Sequence, residues 1–563
     1  MQRRGSQYRT PEPGTRCNLA ESRPRRHAAA RFCVRMFIAA GLSSATVFNT
    51  AKPLSSMPPQ ARPAIQPHKT ENSNAATHLE SARKACESRD FSQCRAELEL
   101  VLQADPQSAD AYEMLGALEL ESGKSAEAKS DFERAAQYVP NSFAAHYNLG
   151  LLYLREHDLK RGLPELQRAA ALDPHNPSAA YNLGLVLLET GKPQGAVAEL
   201  RRVQVLGQDR PDVAFNLIRA ELAAGHAGAA KLDAEKERKA FGEDPKWLGS
   251  VGQLFLEQGQ VEDARTYLET AVQLQPRDLE TRRALARADL VQQRADPVLE
   301  LIPVPLTAED HYLRAKALFL LHRRQGAQEE AEPALRDDPE NVSILLLAAQ
   351  IQQSLGKQDE ALKLLASAAR LQPNSPEIFY RTAVSYYFGL RYEEAQHYLE
   401  KALEQEPKCT RCLFLYANTL LIGGKNREAE DALRRAMALD PTNARYVYHL
   451  GAALLRDNRP QDAKPVFEKA IALKPDYGPP HYALGKLLEG EGQSQQAAKE
   501  LELSVKYEPH LAEAYYQLGR VYSALGEAEK SRQAYRTFEN LKENQGSEDQ
   551  RLQMEITREL GQP

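Results

Sequence analysis

The sequence predicts an all-α protein built as an array of stacked helix pairs. Three observations predict it. Prolines recur on a fixed period: Pro106, Pro140 and Pro174 are 34 residues apart, and so are Pro339, Pro373, Pro407, Pro441, Pro475 and Pro509. A proline cannot continue a helix and pushes the preceding residue out of the α region, so each one closes a pair. Small and bulky residues alternate at helical spacing within each period, as interlocked antiparallel helices require. The same unit can be laid over nearly everything from Ala75 to Leu541, so the repeat governs the whole reading.

The unit is clearest from Phe143 to Pro174, FAAHYNLGLLYLREHDLKRGLPELQRAAALDP: one helix, a tight turn, a second helix and a stop. With Phe143 as position one, position eight is Gly116, Gly150, Gly184, Gly451, Gly485 and Gly519. Glycine inside a helix costs roughly 1 kcal/mol against alanine, so its recurrence points to close helix approach. Position twenty is Ala128, Gly162, Ala196, Ala395, Ala429, Ala463 and Ala497, and position twenty-seven is Ala135, Ala169, Ala402, Ala436 and Ala470. Bulky residues face these small ones, among them Leu149, Leu183, Leu450 and Leu484 at position seven. Phe132, Leu166, Leu200, Leu399 and Phe467 do the same at position twenty-four.

This pattern resembles the tetratricopeptide repeat, and the resemblance covers most of the chain. It implies a right-handed α-solenoid superhelix of about fourteen helix pairs. The first helix of each pair would line a concave groove that, in this family, usually binds peptides or other proteins.

In chain order, residues 1–51 read as a disordered basic tail or an export signal. Arg23, Arg25, Arg26, Arg31 and Arg35 precede the apolar stretch Met36–Phe48, with small residues at Ser43–Ala45 and Ala51. Cys33 follows Ala30, Arg31 and Phe32, which is not a lipid-attachment context. Residues 52–74 form a Pro-rich linker. An N-terminal array spans 75–294. Within it, the stretch KLDAEKERKAFGEDP before Trp247 suggests a second helix lengthened by about a turn, and Trp247 reads as core. Residues 295–306, with three prolines in ADPVLELIPVPL, predict a short or broken second helix and a kink. A C-terminal array spans 307–543. The remaining residues, 544–563, are a tail carrying a capping helix, Glu548–Leu560, that covers the exposed apolar end.

The net charge is −5, from 72 basic and 77 acidic residues, which gives no reason to expect nucleic acid as a partner. No apolar run reaches about 18 residues, so no spanning membrane helix is expected. Export to the periplasm or cell envelope is the expected location, with the cytoplasm as the alternative. The oligomeric state is not legible.

Position five of the first helices is aromatic in Tyr147, Tyr181, Phe215, Tyr380, Phe414, Tyr448, Tyr482 and Tyr516. Position six is Asn148, Asn182 and Asn216 in three successive repeats, then Ser250. The resemblance puts both positions on or near the groove, and the asparagines resemble a ladder whose amides hold an extended peptide backbone. One amide offers both a donor and an acceptor. The alternative is that the asparagines are solvated or bond between neighbouring helices, and that the tyrosines are half-buried packing residues. In the second half, Arg381, His449 and Gln517 occupy position six, with Tyr386 and Tyr387 nearby. That lining would suit an acidic or aromatic segment. The carboxylate clamp of chaperone-binding members is not expected, because Glu113 and Ala117 stand where two of its residues would be.

Cys86 and Cys94 flank the first turn, and Cys409 and Cys412 open a first helix as CTRC. Both pairs could form disulfides, which would agree with an oxidising compartment; free thiols in a cytosolic scaffold are the alternative. No second Cys-x-x-Cys or His pair completes a zinc site, so no metal or cofactor is expected. Phosphate-binding, metalloprotease and nucleophile-elbow motifs are missing, and the histidines are scattered. The leading expectation is therefore a non-catalytic scaffold that binds protein or peptide segments, in the assembly of a multiprotein complex. The alternatives are a non-catalytic relative or regulatory subunit of repeat-containing glycosyltransferases and a purely structural spacer.

Overall fold

The computed structural model describes residues 73–544 apart from residue 209. The export signal, almost all of the linker and the capping helix Glu548–Leu560 lie outside the described residues. Among these, 28 helices form fourteen consecutive pairs, and there is no strand.

The chain divides into two compact units, one ending at Asp233 and the other starting at Ala234. The first holds α1 (Ser73–Glu87) with α2 (Phe91–Ala104), α3 (Ala109–Glu121) with α4 (Ser125–Tyr138), and α5 (Phe143–Arg155) with α6 (Leu159–Leu172). It continues with α7 (Pro177–Glu189) paired to α8 (Pro193–Val205), and then α9 (Pro211–Ala223). Helix α10 (Ala227–Phe241) crosses the division. It has 15 residues against 14 in most second helices, so its extension is about one residue and not a full turn.

The second unit continues with α11 (Pro245–Glu257) and α12 (Val261–Leu274), then α13 (Leu279–Val291) and α14 (Asp296–Leu301), α15 (Ala308–Leu320) and α16 (Arg324–Asp337). Next come α17 (Val342–Ser354) with α18 (Gln358–Leu371), α19 (Pro376–Phe388) with α20 (Tyr392–Gln405), and α21 (Thr410–Ile422) with α22 (Asn426–Leu439). The last pairs are α23 (Ala444–Arg456) and α24 (Pro460–Leu473), α25 (Gly478–Gly490) and α26 (Ser494–Tyr507), α27 (Ala512–Ala524) and α28 (Ala528–Asn544). The broken helix expected over 295–306 is α14, six residues long, and it lies inside the second unit.

Local chemistry explains the regularity. Each Asp-Pro stop leaves the aspartate extended, as a following proline requires. Its carboxylate then accepts the N–H two residues on: Asp105 from Gln107, Asp173 from His175 and Asp440 from Thr442. The next first helix starts from a polar cap such as Ser142, Asn176 or Asn341, which accepts the free N–H groups of the first turn.

Where position eight is glycine, the residue at position twenty-four fills the space it leaves open. A Cβ on Gly150 would stand 2.6 Å from Leu166 Cγ, and one on Gly451 2.5 Å from the Phe467 ring. Leu98, Phe132, Leu166, Leu200, Leu268, Leu399, Leu433, Phe467 and Leu501 are all fully buried at position twenty-four. Trp247 is buried too, against Phe241 and Tyr267.

Candidate functional site

The first-helix face of the first unit carries the tyrosines and asparagines. Asn182 Nδ2 donates to Tyr147 Oη at 2.9 Å and to its own helix at Ser178 O, 3.0 Å. Asn216 Nδ2 repeats the pattern on Tyr181 Oη at 3.1 Å and Asp212 O at 2.8 Å. Each asparagine thus ties its helix to the tyrosine one repeat earlier. The donor half of the amide is spent inside the array, so a two-sided clasp on a peptide backbone would have to break these bonds. What remains for a ligand at these positions is the acceptor half.

The same rule explains where the ladder stops. Asn148 follows a repeat whose fifth position is Glu113, and Glu113 accepts from Ser142 instead. Ser250 follows Phe215, which has no hydroxyl, and Ser250 is exposed. Tyr147 stacks on Phe143 with ring centroids 5.4 Å apart, and burial pushes its phenol above the ordinary value. Tyr181 is buried under the Arg210 guanidinium; burial and then the Asp212 carboxylate push its phenol up further. Phe215 is half-buried.

In the second unit the expected lining sorts into different places. Tyr448 packs against Phe467 and Tyr477, Tyr482 is half-buried at the edge of the same core, and Tyr516 leans on Tyr535 and Phe538 of the last helix. Tyr386 stacks on Tyr398 of its own pair, and Tyr387 is buried. His449 sits edge-on to Phe414. Burial, then the charges of Arg445 and Arg456, lower its pKa to about 3, so it is neutral and adds no positive charge to this face. Gln517 is buried and bonded to Glu489.

Arg381 does carry charge to this face. Its Nε pairs with Glu377, which is shared with Arg411, while its Nη1 is buried with no partner. Two first helices earlier in the chain, on α15, burial pushes the Tyr312 phenol up and the Lys316 amine down. Between them, Gln353 Nε2 donates to Arg381 O at 2.9 Å and to Ser385 Oγ at 2.7 Å, holding the turn that bears Arg381.

A small cleft of about 200 Å³ opens beside the short helix α14, lined by Leu279, Arg282, Arg283, Leu301, Pro303 and Asp310 among others. Its charged walls are satisfied internally. Arg283 grips Asp310 through two bonds of 2.8 and 3.0 Å, and Arg282 donates to Leu301 O.

The structure bonds Cys86 to Cys94 and Cys409 to Cys412, each with Cα atoms 5.2 Å apart. Among the described residues no group of His, Cys, Asp and Glu side chains could hold a metal ion, and no helix is long and apolar enough to cross a membrane.

One recurring feature went unread in the sequence. His78, His146, His311 and His481 stand at position four, and each Nδ1 meets a glutamate nineteen residues later, at 2.6–2.7 Å. His146 and His481 also place Nε2 3.0 Å from the carbonyls of Pro140 and Pro475. With acceptors on both nitrogens the imidazolium form is favoured. His146 is raised above its ordinary pKa mainly by the Glu165 bond; His481 is raised by its Glu500 and Pro475 bonds against an opposing effect of burial. The spacing of nineteen from a position-four histidine to a glutamate was the available signal. It shows only when the repeats are aligned.

No curated protein is similar enough to the chain to count as a relative. Solved structures with a similar arrangement include the APC/C hetero-tetramer Cut9–Hcn1, at 13% identity and a TM-score of 0.38, covering 80% of this chain and 96% of that one. Naa15/Naa10 bound to HypK-THB shares 15% identity at a TM-score of 0.35, covering 87% and 78%. Yeast Tom70 shares 16% at a TM-score of 0.35, covering 76% and 96%. The sequence signature of the tetratricopeptide repeat matches residues 114–177, 147–213, 215–279, 250–296 and 312–376. Two further forms of the same repeat match 391–454, 454–509 and 512–545. With matches over well more than half its length, the chain belongs to the tetratricopeptide repeat family.

Proposed function

We propose that this protein is a non-catalytic scaffold that binds extended segments of partner proteins along the face of its first helices and so assembles a multiprotein complex. The observation that carries this reading is the cross-linking of that face. Tyr147–Asn182 and Tyr181–Asn216 join successive first helices before any ligand arrives. A surface fixed in this way loses little conformational freedom on binding. Among the asparagines, Asn148 is the one whose amide is not committed to a tyrosine of the preceding repeat, and it is the residue we assign to a partner backbone.

Crosslinking mass spectrometry of the native protein tests the reading. Crosslinks from partner proteins should concentrate on first helices, and Asn148→Ala should reduce their yield without lowering the melting temperature. Partner crosslinks confined to second helices, or none at all, would sink it. They would favour the spacer reading, which the internally committed Asn182 and Asn216 donors support.

The proposal includes export to an oxidising compartment, supported by two bonded cysteine pairs and the basic-then-apolar leader. N-terminal sequencing of the mature chain should begin after the Met36–Phe48 stretch. An intact Met1 and six free thiols, Cys17 and Cys33 among them, in chain isolated under thiol trapping would place it in the cytoplasm.

A further inference from the structure

We infer that the end face of the last pair, centred on Tyr516, is a docking surface for the chain's own residues 548–560. The inference goes beyond the scaffold reading and stands on the packing between successive pairs.

In earlier pairs the ring at position five is covered by the start of the next first helix. The Arg210 guanidinium lies 5.4 Å from the Tyr181 ring centre, Arg411 lies 4.6 Å from Tyr380, and Arg445 lies 5.1 Å from Phe414. Tyr477, at the cap of α25, meets Tyr448 with ring centroids 5.7 Å apart. Covered in this way, Tyr380 and Phe414 are each 1% exposed. Tyr516 holds position five of the last first helix and is 43% exposed. Its ring is held from one side, by Tyr535 at 5.9 Å and Phe538 at 5.2 Å on α28. Its other side is the one that a further first helix would cover. An aromatic surface open where its counterparts are closed marks a place of contact.

The sequence that follows α28 suits that place. Helix α28 runs to Asn544, 17 residues against 14 in α26, and no proline stands 34 residues after Pro509. Ser547 then offers an N-cap with Gln550 three residues on, the pattern of a reciprocal cap. Glu548 and Asp549 bring negative charge to the first turn, where the helix dipole favours it. Leu552, Ile556 and Leu560 recur every four residues and share one helical face. Leu552 stands 34 residues after Leu518, and Ile556 stands 34 after Tyr522. Both of those α27 residues are buried, so the segment repeats the inward side chains of a first helix. Arg551, Glu555, Arg558 and Glu559 fall between the apolar positions and give it a charged outer side, which ends an array instead of extending it. Gln545, Gly546 and Ser547 alone separate the segment from α28, a usual length for a connection between packed helices. So short a tether gives the chain's own segment a far higher effective concentration at this face than a second copy has.

Hydrogen exchange on the full chain tests the docking, with a synthetic peptide of residues 545–563 as the unprotected reference. Amides of 552–558 should exchange at least about tenfold more slowly in the chain than in the peptide, because an isolated helix of this length is marginal in water. Leu552→Asp combined with Ile556→Asp should abolish that protection and quicken exchange over 512–544. Residues 444–473 should stay protected, which shows that the array is still folded. If the double variant unfolds the array, Ile556→Ser alone carries the same expectation. Exchange of 552–558 at the peptide's rate in the parent chain overturns the docking, and so does protection that survives the substitutions. Protection that vanishes on dilution means that a second copy brings the segment, and it overturns docking within one chain.

Discussion

Tyr147 and Asn182 are 35 residues apart and act as one device. Their bond joins neighbouring helix pairs, so its loss should appear as weaker coupling between repeats. Tyr147→Phe keeps the ring and its stack on Phe143 and removes only the hydroxyl. We expect a loss of about 1 kcal/mol, typical of one hydrogen bond, read as faster amide exchange over 177–189. Asn148→Ala should stay within about 0.5 kcal/mol of the parent, because no tyrosine precedes it at the right spacing. The asparagines themselves were legible in the sequence, at position six of three successive repeats. Their use was not, because it depends on position five of the preceding repeat: Tyr147 and Tyr181 provide a hydroxyl, whereas Glu113 and Phe215 do not. Arg381 shows the opposite case. Its place on the first-helix face was readable, but its link through Glu377 to Arg411 of the next repeat was not, because a position-by-position reading cannot show a bond between repeats.

At the scale of one helix pair, close approach and a charged pin do separate work. Alanine at position 150 gains helix propensity of about 1 kcal/mol but sets a Cβ 2.6 Å from Leu166 Cγ and 3.3 Å from its backbone nitrogen. The second contact cannot be relieved by rotating a side chain. We expect Gly150→Ala to destabilise by about 1–2 kcal/mol in thermal melts, as overpacking does. Gly490→Ala meets nothing within 4 Å and should be neutral or slightly stabilising. The charged pin titrates. His146 and His481 have folded pKa values raised above 6.5, so their contribution is complete below that value. It is lost as pH rises through the raised folded values. Melting temperature should therefore fall as pH rises from neutrality. The double variant His146→Gln, His481→Gln should be less stable at pH 6 and show a flatter decline. An unchanged slope would mean that these imidazoles are neutral in the fold. The glycine contact was legible because position eight and position twenty-four vary together in size. The histidine pin was not, because only some repeats carry it.

At the scale of the whole molecule, the proline period revealed the number of pairs and the place where one is cut short. It did not reveal the division between Asp233 and Ala234, which falls within a helix of ordinary composition and depends on packing density. In an array each pair is stabilised by its own packing and by its two neighbours, so a weak pair must be compensated locally. The pair of α13 and α14 is weak: its second helix has six residues and buries Val298, with Ile302 just beyond it. Polar staples replace the missing turns. Arg314 donates to Ile302 O at 2.6 Å, and Arg282 donates to Leu301 O. Arg283 grips Asp310, which also accepts the N–H groups of Leu306 and Thr307. Burial works to raise the Asp310 pKa, but the Arg283 bond, the Leu306 N–H and the Arg283 charge outweigh it and bring it down to about 2. The staple is therefore in force above the ordinary carboxylate range and is lost as pH falls through about 2. Asp310→Ala removes it at neutral pH and leaves Arg283, with 11% of its side chain exposed, without its main partner. Breaking a buried pair in this way costs about 3–5 kcal/mol. Hydrogen exchange should show that loss over 279–320, while residues 444–473, several pairs away, keep their protection. Equal loss in both stretches would mean that the second unit unfolds as one cooperative block and that the staple serves the whole unit. Confinement to 279–320 would make the broken pair the place where this array opens first.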